Sequence, residues 1–132
     1  MLDLARRWLF PIACLGCGGA DVALCDTCAP GPDEVIDLDL GDLTVRALAP
    51  YEGLWRRAIV AFKGGERAYA DAFAGLLRAR FPFDGSVVPV TTTRRRVATR
   101  GFDQAVEIAL RFAGADAIDV LRKRWGPAQH GS

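Results

Sequence analysis

The feature that most limits how this chain can fold is a set of four cysteines confined to one short segment: Cys14 and Cys17, then Cys25 and Cys28. Each pair encloses two residues, and seven residues separate the pairs. Two closely spaced CxxC turns can place four sulfurs around one ion in tetrahedral geometry. Gly16, Gly18 and Gly19 lie in and beside the first turn. Glycine lets the backbone turn tightly there, and backbone amides can then donate to the sulfurs. A metal would contribute on the order of 10 kcal/mol to folding, and a segment this short and glycine-rich has no other evident source of order. Scattered core cysteines would not fall into two CxxC pairs. A redox CxxC normally comes singly, opening a helix in a thioredoxin-like setting. Four thiolates leave no open position, so the expected ion is structural rather than catalytic, and zinc is the expected metal. Iron in the same site is the alternative that the sequence leaves open.

Composition narrows the remaining classes. The chain has 132 residues, of which 51% are hydrophobic and 25% charged, the balance of a globular chain rather than a disordered one. A net charge of +1 makes the whole chain no general polyanion binder, so an argument for nucleic acid or phosphate must rest on local clusters. Residues 2–12 include Asp3, Arg6 and Arg7, and are too short and too charged to span a membrane. They also lack the small residues of a signal cleavage site, which makes the cytoplasm the expected location. Paired cysteines there hold metal more often than they form disulfides.

Along the chain, residues 4–10 read as a short amphipathic helix stopped by Pro11. Ile36, Leu38 and Leu40 alternate with Asp37 and Asp39, and Leu43, Val45 and Ala47 alternate with Thr44 and Arg46. With Gly41 and Asp42 between them, the two runs predict a hairpin. Its wet side would carry Asp37, Asp39 and Asp42, next to Asp33 and Glu34. Leu54, Ala58, Ile59 and Phe62 recur at helical spacing before Gly64 and Gly65. A second helix is expected over 67–80 with Ala72, Phe73, Leu76 and Leu77 buried, broken by Pro82 and Gly85. Residues 86–90 predict a buried strand, 91–101 a polar loop, and 116–121 one more strand. Asp103 is placed to cap a helix carrying Ala105, Ile108, Ala109 and Phe112. Strand and helix alternation of this kind predicts an α/β fold.

The loop after the predicted strand carries Arg94, Arg95, Arg96 and Arg100. Guanidinium groups ahead of a helix start suit phosphate, in a nucleotide or in single-stranded DNA. Asp103 would oppose such binding, and a solvated basic loop is the plain alternative. Trp8, Trp55 and Trp125 could stack on bases but are better explained by packing. His130 has no Cys, Asp or Glu near it in sequence and reads as a solvated residue, in a tail over 126–132 without periodicity.

Taken in order, these segments resemble the ComF family, the late-competence and GntX-type proteins. The matching residues are Cys14-Leu15-Gly16-Cys17 and Cys25-Asp26-Thr27-Cys28, Tyr51-Glu52-Gly53 leading to Phe62-Lys63-Gly64-Gly65, and Val88-Pro89-Val90. Arg100-Gly101-Phe102-Asp103-Gln104-Ala105 and Leu121-Arg122-Lys123-Arg124 with Gln129 complete the set. The resemblance implies a four-cysteine zinc ribbon over 1–33, followed by an incomplete type I phosphoribosyltransferase-like α/β domain over 34–132. Two positions depart from the pattern: Thr91-Thr92 follow Val90 where the family has Pro-Leu, and Asp103 stands where it often has Asn. The family's Asp-Asp-x-x-Thr-Thr-Gly segment, which holds phosphoribosyl pyrophosphate, does not occur, so the chain looks like the front half of a ComF protein and is expected to be inactive alone.

Three functions follow as expectations. The first is a zinc-binding, ComF-like protein linked to DNA uptake in competence, with single-stranded DNA and a helicase-type translocase as partners. The second is an active phosphoribosyltransferase, binding a phosphoribosyl or nucleotide ligand, when a longer chain or a partner supplies the rest. The third is a zinc-ribbon nucleic-acid module presenting Arg56, Arg57, Lys63, Arg94, Arg95, Arg96 and Arg100 on one face.

Overall fold

In the computed structural model the described residues are 2–9, 11–118 and 121. They form a small mixed α/β unit. Helix α1 (Leu2–Leu9) leads into the cysteine segment, and a 3-10 turn (Pro32–Glu34) leads into the hairpin of β1 (Ile36–Asp39) and β2 (Thr44–Ala47). Helices α2 (Gly53–Lys63), α3 (Ala68–Arg80), α4 (Arg94–Arg100) and α5 (Gln104–Ala113) follow. No helix among the described residues is long and apolar enough to cross a membrane.

The expected hairpin forms, antiparallel, with Ile36 opposite Ala47 and Leu38 opposite Val45. Gly41 turns the chain at φ 82°, a left-handed conformation that suits glycine, and Leu40 N–H donates to the Leu43 carbonyl at 2.8 Å. The acidic residues of this region are exposed as expected, but the apolar face is exposed too, including Leu38, Leu40, Leu43 and Val45.

The core is a small aromatic cluster. Ala58 and Phe62 of α2, Tyr69, Ala70 and Phe73 of α3, Phe102 and Ala23 are buried together, with Leu15, Trp55, Ile59 and Ile108 packed against them. Phe62 meets Phe73 edge-on at 5.3 Å between ring centroids, and Trp55 lies 4.9 Å from Phe73. Such edge-to-face and tilted contacts add to the gain from burying apolar area. Trp55 is thus a packing residue, as expected, whereas Trp8 is 83% exposed and does not serve as a cover for the cysteine segment.

The buried face of α3 differs from the sequence expectation. Tyr69, Ala70, Phe73 and Ala74 are buried, while Ala72, Leu76 and Leu77 are half-buried. Helix α3 packs on both α2 and α5, and its alanines let those neighbours approach closely, so size alone does not mark the inward side. Arg111 ties α5 to α3: its guanidinium donates to Asp71 at 2.8 Å and also pairs with Glu107.

Two further expectations are corrected. Residues 94–100 are not a loop but helix α4, because Thr93 Oγ accepts from Arg96 N–H at its start and Gly101 ends it at φ 84°. Residues 86–90 are not a buried strand. Val87 makes one parallel bridge to Ala117; Val87 is half-buried and Pro89 buried, whereas Val88 is 41% exposed and Val90 77% exposed, so the run is an extended segment buried on one side only. The same bridge is all of the 116–121 strand that falls on described residues, since 119 and 120 lie outside them. Trp125, Gln129, His130 and the 122–124 basic run also lie outside the described residues. Among the described residues the β-pairing amounts to one antiparallel strand pair and two isolated bridges, the antiparallel one of Ala13 with Ala20 and the parallel one of Val87 with Ala117.

Candidate metal centre

The cysteine segment folds as two turns facing each other. In the first, Gly18 N–H donates to the Cys14 carbonyl at 2.9 Å, and Cys14 N–H to the Gly19 carbonyl at 2.8 Å. An antiparallel bridge between Ala13 and Ala20 closes its base. In the second, the N–H groups of Cys28 and Ala29 both donate to the Cys25 carbonyl, at 3.1 and 2.8 Å. Leu15 N–H donates to the Ala23 carbonyl at 3.0 Å and joins the two turns. Ala23 is part of the core cluster, so the segment is anchored to the helices rather than free.

This framework brings together all four cysteines singled out by the sequence. Their sulfurs lie within 4.8 Å of one another. Cys17 Sγ and Cys25 Sγ are 3.7 Å apart, and no disulfide joins any of the four. Four sulfurs each about 2.3 Å from a central ion in a tetrahedron would stand about 3.8 Å apart. The donor set therefore fits a metal ion, with room for one ion at its centre. Cys14 is buried, Cys25 and Cys28 half-buried and Cys17 exposed, so the cluster has an inner and an outer side.

Backbone amides tune the sulfurs. Cys25 N–H donates to Cys14 Sγ at 3.3 Å. Amide donation, first from Cys17 and then from Cys25, outweighs burial and lowers the Cys14 thiol from 9.0 to about 6. Cys28 is pushed up from 9.0 to about 12, first by its hydrogen bond with the Cys25 side chain and then by burial. Without metal, one sulfur is held as thiolate and another keeps its proton. A cation at the centre would favour ionisation of all four.

Glycine at position 16 is a packing requirement that spacing alone did not reveal. A Cβ there would stand 2.7 Å from Cys28 Sγ and 2.9 Å from Leu54 Cδ2. The first turn thus lies directly against the second cysteine pair and the start of α2. Gly18 adopts φ 77°, the left-handed conformation expected of a tight turn.

The arginine cluster is arranged differently from the expected loop. Arg94, Arg95 and Arg96 are exposed on the first turn of α4, where successive positions point about 100° apart around the axis. Arg100 is half-buried and donates to Gln104 Oε1 at 2.9 Å. Asp103 accepts from Ala105 N–H at 3.1 Å and Val106 N–H at 3.3 Å through Oδ1, and from Thr92 N–H at 2.8 Å through Oδ2. The amides at the start of α5 that a phosphate would use are already taken by this carboxylate. Of the other basic residues considered, Arg56 lies 5.8 Å from the Tyr51 ring centre, and Arg57 and Lys63 are exposed.

A separate groove of about 590 Å³ opens between the end of α3, the extended segment after it and α5. Leu77, Phe81, Val87, Ile108 and Phe112 line it, and Arg46 from the hairpin stands among them. None of the residues singled out as metal-binding or phosphate-binding line this groove. Compared with known proteins, the chain matches no family model, no curated protein and no solved structure, so the geometry of the four sulfurs carries the functional reading.

Proposed function

We propose that this chain is a structural zinc protein, in which one Zn2+ held by Cys14, Cys17, Cys25 and Cys28 fixes the N-terminal segment against α2. The observation that carries this reading is the convergence of four sulfurs within 4.8 Å, at a spacing that suits tetrahedral thiolate ligation. The test is elemental analysis of freshly purified, reduced protein. About one zinc per chain is expected from one four-thiolate site. Protein without metal, and unable to take zinc up on addition, would overturn the reading; iron in place of zinc would correct the ion and keep the site.

The finer proposal is a ComF-like role in DNA uptake, with the helical part as a portion of a phosphoribosyltransferase-like domain. It rests on the sequence resemblance. One structural feature supports it: Val87 and Ala117 pair in parallel with α4 and α5 between them, as in a strand–helix–strand crossover. Single-stranded DNA is the corresponding ligand, and Arg94, Arg95 and Arg96 are its candidate contacts. A DNA titration at two salt concentrations, comparing wild type with Arg95→Ala/Arg96→Ala, tests this. Equal binding by both proteins would remove the arginines from any such role. Phosphoribosyl transfer needs groups that these residues do not supply, and pyrophosphate release by this chain alone would revive that alternative.

A further inference from the structure

The four sulfurs of the proposed zinc site are not equivalent, and each turn contributes one inner and one outer cysteine. Cys14 is 3% exposed, and its sulfur accepts from Cys25 N–H at 3.3 Å. Cys28 is half-buried, and its sulfur lies 2.7 Å from where a Cβ at position 16 would stand. These two make the inner side. Cys17 is exposed, and a Cβ at the neighbouring Gly18 would meet nothing within 4 Å, so this turn borders open space. Cys25 is half-buried, and its sulfur stands 3.7 Å from that of Cys17. The outer pair therefore spans the two turns. Those turns are also joined without metal, because Leu15 N–H donates to the Ala23 carbonyl at 3.0 Å. That link keeps the outer sulfurs near each other whether or not an ion is held.

We propose that the site is a redox switch, in which hydrogen peroxide joins Cys17 to Cys25 as a disulfide and the metal is released. The inference rests on the zinc reading and adds a way to empty the site. Metal ligation requires deprotonated sulfur, so Cys17 is a thiolate at neutral pH when the site is loaded. Oxidation follows thiolate character and exposure, and Cys17 is the exposed ligand of the four. Its sulfur attacks one peroxide oxygen. The O–O bond breaks, an S–O bond forms, and the other oxygen leaves as hydroxide, which takes a proton to become water. Cys17 is then a sulfenic acid, which condenses with a nearby thiol. The Cys25 thiolate attacks the Cys17 sulfur: the S–S bond forms, the S–O bond breaks, and a second hydroxide leaves and is protonated. Two electrons pass from the two sulfurs to the peroxide. Cys14 and Cys28 remain as thiols, shielded on the inner side. They supply two ligands where a structural zinc site uses four, so affinity for the ion falls. Reduction of the disulfide by a dithiol restores all four ligands.

The test uses the full chain loaded with zinc and titrated with hydrogen peroxide. A chromogenic chelator reads released zinc, and alkylation followed by non-reducing peptide mapping reads the sulfurs. About one equivalent of peroxide should release the zinc and consume two thiols. The map should show Cys17 linked to Cys25, with Cys14 and Cys28 alkylated. Dithiothreitol with added zinc should return the protein to full occupancy. Cys17→His keeps a zinc ligand but removes the sulfur that reacts first. It should hold zinc and lose it to peroxide at least about tenfold more slowly than wild type. If Cys17→His takes up no zinc, the wild-type map alone decides. Zinc retained after oxidation overturns the switch and leaves the zinc reading standing. A disulfide within one turn, Cys14 to Cys17 or Cys25 to Cys28, overturns the outer pair, as does a sulfinic acid at Cys17 without a disulfide. Reduced wild type that takes up no zinc before any peroxide is added overturns the zinc reading, and the switch with it.

Discussion

The sulfurs of Cys17 and Cys25 stand 3.7 Å apart although eight positions separate them in sequence. One belongs to each CxxC turn, so their approach measures how closely the two turns are brought together. Serine at either position would keep the size but replace a thiolate with a poor zinc ligand. Cys25→Ser is therefore expected to lower zinc content from about one per chain to near zero. It should also make residues 11–29 sensitive to protease. Metal content and limited proteolysis read the two effects together, and full zinc occupancy in the variant would count against the four-cysteine assignment.

Acidity should matter in the metal-free, reduced protein. The Cys14 thiol is lowered from 9.0 to about 6. An acid with its folded pKa lowered stabilises the fold above its unfolded value and loses that contribution as pH falls through its folded value. Cys14 thus contributes fully above about pH 9 and less and less down to pH 6. Cys28, raised to about 12, acts in the opposite sense: its contribution is present below pH 9 and is lost as pH climbs towards 12. Urea midpoints of chelated protein should rise from pH 6 to pH 9, and Cys14→Ser should flatten that rise. A wild-type slope no steeper than the variant's would contradict the amide-stabilised thiolate.

Substitution at Gly16 should disturb the centre without touching a ligand. An added methyl would meet Cys28 Sγ at 2.7 Å and Leu54 Cδ2 at 2.9 Å, so the first turn must shift away from the second pair. Gly16→Ala is expected to weaken zinc binding and to cost about 1–3 kcal/mol of stability, the usual range for overpacking. Competition with a chromogenic chelator measures the first effect and thermal unfolding the second. Unchanged affinity would mean that the two turns do not pack as closely as these distances require.

Much of this was legible in the sequence wherever a residue's chemistry is local. Two CxxC pairs announce their own convergence, and alternation around Gly41 and Asp42 announces the hairpin. Asp103 before an apolar helical pattern announces a cap. What escaped depends on contacts far along the chain. Helix α4 carries only Val97 and Ala98 as apolar residues, too few for a helical period, so a polar run read as a loop turned out to be helix between Thr93 and Gly101. The valines at 87, 88 and 90 suggest a buried strand, yet burial needs neighbours on both faces, and only the bridge to Ala117 is present among the described residues. Small residues on α3 hid its inward side, because Ala70 and Ala74 are buried by close approach rather than by size.

The same local legibility makes Asp103 the sharpest test of the region after α4. Its carboxylate serves two structures at once: Oδ1 caps α5 through Ala105 and Val106, and Oδ2 holds Thr92 N–H at 2.8 Å. Loss of a helix cap alone costs about 0.5–2 kcal/mol. Asp103→Ala also leaves the Thr92 amide without this acceptor, so the upper half of that range is expected, read as a lower urea midpoint. Asp103→Asn keeps an oxygen for the cap and should cost less. If the amides were in fact available to phosphate beside the cap, Asp103→Asn, which removes only the negative charge, would bind inorganic phosphate measurably better than wild type in calorimetry. The present geometry predicts instead that Asp103→Asn changes stability and leaves phosphate binding as it was, because the carboxamide oxygen of the new side chain still occupies the start of α5.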